Sequence, residues 1–207
     1  RPLATWTAAH WAWIKGVRMA EPAAAAALEH YVDRAEAAVE EKRALEAKVR
    51  ALAEAPRWKP TVDALRCMKG VETVTAVALA CEVDGFSRFR SASAFSAWLG
   101  VVPSESSSGE RRHRGGITKA GNKHLRRLLV EAAWHFANAS RHAKPPARGQ
   151  LVDPAVRRHA LKGNRRLIDR RKALDDAGKR PVVANMAVAR ELACWCWAVG
   201  RMVESAA

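Results

Sequence analysis

Apolar positions recur at helical spacing along most of the chain, in segments divided by prolines and glycines. Leu3 to Val17 carries Trp6, Trp11, Trp13 and Ile14 in a pattern that predicts a short amphipathic helix. From Pro22 an alanine-rich stretch runs to about Ala53. Within it Leu28, Tyr31, Ala35, Ala38, Lys42, Leu45, Val49 and Leu52 fall on alternating heptad core positions, all but Lys42 apolar. Charges such as Glu40, Glu41 and Arg43 fill the other faces. The pattern fits a helical hairpin or coiled-coil arm, and equally a single long helix packed on its own domain. Pro56 and Pro60 then bracket a linker.

From Thr61 to about Val83 two apolar helical stretches flank the turn Leu65–Val71, giving helix, glycine-containing hairpin, helix. Backbone N–H groups of such a turn can face a phosphate without reading bases. Lys69 stands where the usual Pro-Gly-hydrophobic-Gly version has proline, and Glu72 replaces the second glycine. Packing and phosphate contact are therefore equal readings of this turn. Phe86, Phe89, Phe95, Trp98 and Leu99 predict the next helix, with Ser91 as its N-cap and Gly100 and Pro103 closing it. After a serine-rich loop a helix resumes from Lys119 or Asn122, with Leu125, Leu128, Leu129, Ala132, Ala133 and Phe136 on one stripe. Pro145 and Pro146 break the chain again. A basic helix follows, with eight Lys/Arg and one Asp between Arg157 and Lys172, and a final helix spans Val182 to about Met202. No strand pattern emerges. The predicted fold is mainly α: a helical or coiled-coil arm (1–55), a core with the helix-hairpin-helix-like segment and the serine loop (61–145), and a basic helical extension (146–207).

Composition sharpens this picture. Across 207 residues 49% are apolar, enough for a packed core, yet the formal charge is +15 and the pI about 10.5. Such an excess favours polyanionic partners, DNA or RNA first among them. A membrane surface is the rival, but the sequence has no run of eighteen apolar residues and no signal-peptide pattern at its start. The expectation is a cytoplasmic, nucleoid-associated protein. Cys67, Cys81, Cys194 and Cys196 form no CxxC pair and no histidine pair has zinc-finger spacing, so buried reduced thiols are expected and no metal site.

The candidate chemistry concentrates between Ser106 and Arg127. Three serines (Ser106, Ser107, Ser108) precede Gly109, and from Gly109 to Arg127 seven Lys/Arg face one Glu. A hydroxyl can attack phosphorus, arginines can hold non-bridging oxygens, and glycines let backbone approach a ligand. Arg111, Arg112 and Arg114 are the candidate cations for that role. Lys119, Asn122, Lys123, Arg126 and Arg127 sit where a phosphate would meet the positive end of the following helix. A flexible Ser/Gly linker, or a binding loop without chemistry, fits the serines alone. Composition alone favours the linker, but a linker does not need Arg111, Arg112, Arg114 and Lys119 so close, which shifts the balance to a phosphate-binding loop, with or without chemistry.

The run from Phe89-Arg90-Ser91-Ala92 through Phe95-Ser96-Ala97-Trp98-Leu99-Gly100-Val101-Val102-Pro103 to Ser108-Gly109, followed by Arg114-Gly115-Gly116-Ile117-Thr118-Lys119-Ala120-Gly121-Asn122, closely resembles the C-terminal domain of insertion-sequence family 110 transposases, the RNA-guided bridge recombinases. The resemblance is strongest from about Leu65 to His135. It implies a nucleophilic serine just before a glycine and five residues after the loop proline, which is Ser108 counted from Pro103. It implies DNA strand exchange through a phosphoserine intermediate, a guide (bridge) RNA, and homo-oligomer contacts through the arm. It also implies an N-terminal RuvC-like domain whose acidic tetrad binds magnesium. No such tetrad is found in these 207 residues and the sequence starts at Arg1. The expectation is therefore a partial transposase that needs magnesium only with that other domain and is not active alone. The alternative is a non-catalytic helical DNA- or RNA-binding module from a truncated or decayed mobile element.

Overall fold

A computed structural model describes residues 7–108, 111–137, 139, 140, 142, 145–147 and 149–206, with the backbone alone for residues 105–108 and 111–114. Eight α-helices and two strands follow one another among the described residues: α1 (Ala8–Gly16), α2 (Pro22–Ala53), α3 (Lys59–Leu65), α4 (Thr73–Val83), α5 (Ala92–Trp98), β1 (Pro103–Ser108), β2 (Arg111–Ile117), α6 (Lys123–Ala133), α7 (Pro154–Asp176) and α8 (Pro181–Glu204). Short 3-10 helices cover Phe86–Arg88 and Trp134–Phe136. The fold is mainly α, as the apolar periodicity predicts. The pair of strands is the departure.

The chain divides into two units, residues 1–48 and 49–207, with the boundary inside α2. In the first unit Thr7 caps α1 and the Glu21 carboxylate accepts from the Ala24 N–H at 2.7 Å, opening α2. Lys15 near the end of α1 pairs with Glu36 at 2.6 Å, while Trp11 shares a cavity with Val39 and Arg43. The two helices therefore run antiparallel. α1 buries no residue fully, and Tyr31 and Leu45 on the heptad stripe are 72% and 53% exposed.

The second unit is built around α8. Its Val188, Ala189, Leu192, Ala193, Cys196 and Val199 are fully buried, and α3, α5, α6 and α7 all pack on it. By length and composition this helix would suffice to cross a membrane, but here Val188, Ala189, Leu192, Ala193, Cys196 and Val199 belong to the core, while Val182 and Val183 at its start are exposed. Prolines begin helices where their missing N–H is not needed: Pro154 starts α7, Pro181 starts α8, and Pro60 stands in the first turn of α3 rather than in a linker. Asp153 caps α7 through the N–H groups of Ala155 and Val156.

The α3–α4 turn is tied down from the far end of the sequence. The Lys69 N–H donates to Asn164 Oδ1 at 2.9 Å, and Asn164 Nδ2 donates to the Cys67 carbonyl at 2.8 Å. Asn164 is itself 6% exposed. The Val71 N–H returns to the Met68 carbonyl. These donors face inward, so the turn is a packing element. Buried Asp63 fixes the other side, accepting from the Leu151 N–H and facing Lys59 and Arg66. All four cysteines are free: Cys67 and Cys196 are buried, Cys81 and Cys194 half-buried.

Candidate nucleic-acid interface

Ser91 caps α5 by accepting from the Ala94 N–H at 3.1 Å, and buried Phe95 seats the helix in the core. The chain leaves α5 through Gly100 at φ +68 and enters β1. β1 and β2 pair antiparallel, with Ser108 opposite Arg111, Ser107 opposite Arg112, Ser106 opposite His113 and Glu105 opposite Arg114. An irregularity between Pro103 and Glu105 shifts the register at the base, where Ser104 Oγ donates to the Gly116 carbonyl at 3.0 Å. Successive residues of a strand belong to opposite faces of the sheet. By register, Ser108–Arg111 and Ser106–His113 fall on one face, Ser107–Arg112 and Glu105–Arg114 on the other. Gly109 lies outside the described residues, as do the side chains of Ser108, Arg111, Arg112 and Arg114. The hairpin escapes a reading of hydrophobic pattern because its strands, Pro-Ser-Glu-Ser-Ser-Ser and Arg-Arg-His-Arg-Gly-Gly-Ile, show no alternation of apolar and polar residues.

The base of this hairpin is clamped to the end of α5. The Thr118 N–H donates to Val102 O (2.9 Å), the Lys119 N–H to Gly100 O (3.1 Å) and the Asn122 N–H to Trp98 O (3.4 Å). Gly121, at φ +72, has no room for a side chain, since a Cβ would lie 1.8 Å from the Trp98 carbonyl oxygen; at Gly100 it would lie 2.0 Å from Ala120 O. Lys119 adopts positive φ (+56) without being glycine and is exposed. Backbone geometry here is set by interlocked carbonyls and amides.

The sequence-predicted contact residues divide into two groups. Asn122 caps α6 through Leu125 N–H (2.9 Å), and its Nδ2 donates to Glu82 Oε2 (2.7 Å). Arg126 donates from Nη1 to Leu99 O (2.9 Å) and Ala120 O (3.0 Å). Both residues hold the loop against α5 and α4. Glu82 also meets His124 Nδ1 at 2.5 Å, a structural role with no local sequence signal because 42 residues separate the two. Lys119 and Lys123 are exposed beside them. Arg127 is 60% exposed and bonded to Glu131 at 3.0 Å, an i,i+4 surface pair weak enough to yield to a phosphate. Thus Lys119, Lys123 and Arg127 remain available to a ligand, while Asn122 and Arg126 shape the platform.

An open groove of about 480 Å³ runs between the hairpin base and α8, lined by Val101, Pro103, Ile117, Val183 and Met186 with Lys119 and Arg190 among its cations. Among the described residues no three His, Cys, Asp or Glu side chains converge.

Residues 62–148 match the transposase IS116/IS110/IS902 family. The chain is 43% identical over 149 residues to the protein y4qE of Sinorhizobium fredii, named as a transposase, covering 70% of this chain and 38% of that protein. It is 27% identical over 134 residues to the transposase for insertion sequence element IS1533 of Leptospira borgpetersenii, covering 62% of this chain and 38% of the other. A 43.6 kDa protein of insertion element IS110 from Streptomyces coelicolor is 34% identical over 100 residues, 48% of this chain and 24% of that one. The chain thus matches well under half the length of each of these relatives. The segment that matches contains the α3–α4 turn, the serine hairpin and the α6 platform, and over residues 62–148 the chain matches the IS116/IS110/IS902 transposase family.

Proposed function

We propose that this chain supplies the DNA-binding and strand-exchange part of an insertion-sequence transposase, with Ser108 as the nucleophile. The observation that carries the reading is the hairpin register, in which Ser108 stands directly opposite Arg111 on strands anchored by α5 and α6. In the reaction Ser108 Oγ forms a bond to phosphorus as the P–O bond to the leaving deoxyribose oxygen breaks. The hydroxyl proton passes to an acceptor and the leaving oxygen takes up a proton. A second DNA end then attacks the phosphoserine, restoring the serine and completing strand exchange. Arg111, Arg112 and Arg114 offset charge on the non-bridging oxygens. Lys119, Lys123 and Arg127 hold flanking phosphates.

The further parts of the reading come from the family. A guide RNA selects the DNA, the α1–α2 arm joins copies of the chain, and magnesium enters only with a separate acidic domain. The protein acts where chromosomal DNA is, in the bacterial cytoplasm.

The test is covalent trapping on a nicked suicide duplex, with the chain alone and with the N-terminal part of the Sinorhizobium fredii relative and magnesium added. The expected result is an adduct that needs the added part, persists in Ser106→Ala and Ser107→Ala, and disappears in Ser108→Ala while DNA binding remains. Efficient recombination by the chain alone would remove the requirement for a second domain. DNA binding with no adduct under any condition would favour a non-catalytic binding module.

A further inference from the structure

α7 lies outside the segment matched by the family and has no part in the chemistry proposed above, yet it carries the densest charge in the described structure. Its inward face is fixed: Val156, Ala160, Asn164, Leu167 and Ile168 are buried, and Asn164 is bonded into the α3–α4 turn. Its outward face presents Arg158, Lys162, Arg165, Arg166, Arg170 and Lys172, all exposed. Arg158, Lys162, Arg166 and Arg170 form a row at i,i+4 spacing, about 18 Å long at 1.5 Å per residue.

Asp169 is the one acid exposed among these six cations, and a merely solvated helix face has no need of so strong a bias to one sign of charge. α2 shows the contrast within the same chain, with Lys42 beside Glu46 and Arg43 bonded to Glu40. On α7 the pairs 158/162, 162/165, 162/166 and 166/170 are like charges at neighbouring positions, each unfavourable to the helix, while Asp169 offsets part of this at i,i+4 from Arg165 and i,i+3 from Arg166. Acidic partners meet Arg166 (Glu191, 2.9 Å) and Arg171 (Asp175, 2.8 Å), the latter turned inward. Repulsion held on a rigid, exposed ridge is relieved when a polyanion lies along it. A row of about 18 Å matches the rise of roughly five base pairs.

We propose that the outer face of α7 is a second binding surface for a nucleic-acid sugar-phosphate backbone, separate from the serine hairpin, with Arg158, Lys162, Arg165 and Arg170 set on phosphates. The proposal rests on the nucleic-acid part of the function above and not on the serine chemistry. Phosphate contacts of this kind position a duplex without reading its sequence.

The experiment measures binding to a 30-base-pair DNA duplex and to an RNA duplex of the same sequence across a salt series. The variant carries Arg158→Gln, Lys162→Gln, Arg165→Gln and Arg170→Gln, glutamine being compatible with a helix. A charge-matched control carries Arg34→Gln, Lys42→Gln, Arg43→Gln and Lys48→Gln on α2. Circular dichroism checks that both remain folded. On DNA the slope of log K against log[salt] should shrink by about 0.9 for each phosphate that is no longer neutralised, so by about 3 to 4 in the α7 variant and not in the control. A decrease confined to DNA or to RNA identifies which backbone the ridge holds, and a decrease on both assigns the shared chemistry. An unchanged slope on both duplexes, or an equal decrease in the control, overturns the proposal. Adduct formation at the hairpin can survive that result, which separates this proposal's failure from that of the catalytic reading.

Discussion

Two arginines of similar sequence context, Arg126 and Arg127, have different roles. Arg126 is half-buried and bonds two carbonyls, Leu99 O and Ala120 O, whereas Arg127 is exposed and tied to one surface glutamate. Replacing Arg126 with Gln should destabilise the fold by about 2 kcal/mol, from two carbonyls losing a charged donor, and lower Tm by roughly 4–8 °C. Replacing Lys123 with Gln should leave stability within about 0.5 kcal/mol and weaken DNA binding. Thermal melts beside binding curves check both; a stable Arg126→Gln protein that no longer binds would put Arg126 at the ligand instead. His159 offers a titration at this scale. Burial first, and the Lys162 charge second, hold its imidazole below the ordinary range, while its ring packs on Trp195. Folding therefore disfavours the imidazolium. The associated stability is present above the unfolded-state pKa and is lost as pH falls through the lower folded value. His159→Phe should flatten the loss of stability between pH 7 and pH 5 in urea titrations; an unchanged acid limb would contradict this. Cys196 is the opposite case, its thiol pushed up to about 12 by burial, and it contributes packing rather than reactivity.

At the scale of elements, the sequence shows the helices clearly and the hairpin not at all. The stripe Leu125, Leu128, Leu129, Ala132, Ala133 is the buried face of α6, and Ser91 is the α5 cap, because both signals are local. The strands carry no apolar face to reveal them. Their pairing is set at the base by contacts distant in sequence, such as Thr118 N–H to Val102 O and Lys119 N–H to Gly100 O. Asn122 and Arg126 look like ligand contacts in a basic run, and only the positions of Glu82, Leu99 and Ala120 show their structural use. Gly121 should be as sensitive as any site residue, since Gly121→Ala places a methyl against Trp98 O. The arm is an element-scale question too. Tyr31 and Leu45 are exposed apolar positions on α2, whereas Val49 packs on the core of the second unit. If the arm joins copies, Tyr31→Glu with Leu45→Glu should lower the mass seen by light scattering without lowering Tm; an unchanged mass would argue against that role.

At the scale of the whole molecule, a charge of +15 is distributed unevenly, with sign-mixed helices in the arm and a strong excess of cations in the sequence around the hairpin and on α7. A protein of this kind that contacts six to ten phosphates should lose about 10³–10⁵ in duplex affinity between 50 and 200 mM salt. Weak salt dependence would contradict a backbone-binding surface of that size. Salt dependence tests the partner class and says nothing about covalent chemistry, so the placing of the nucleophile at Ser108 of the hairpin needs its own measurement. The direct one is mass spectrometry of peptides from protein trapped on a suicide DNA duplex in the presence of the added acidic domain and magnesium. The expected product is a nucleotide bonded through phosphate to Ser108, absent in Ser108→Ala. A nucleotide on Ser106, Ser107 or another side chain would contradict that placing.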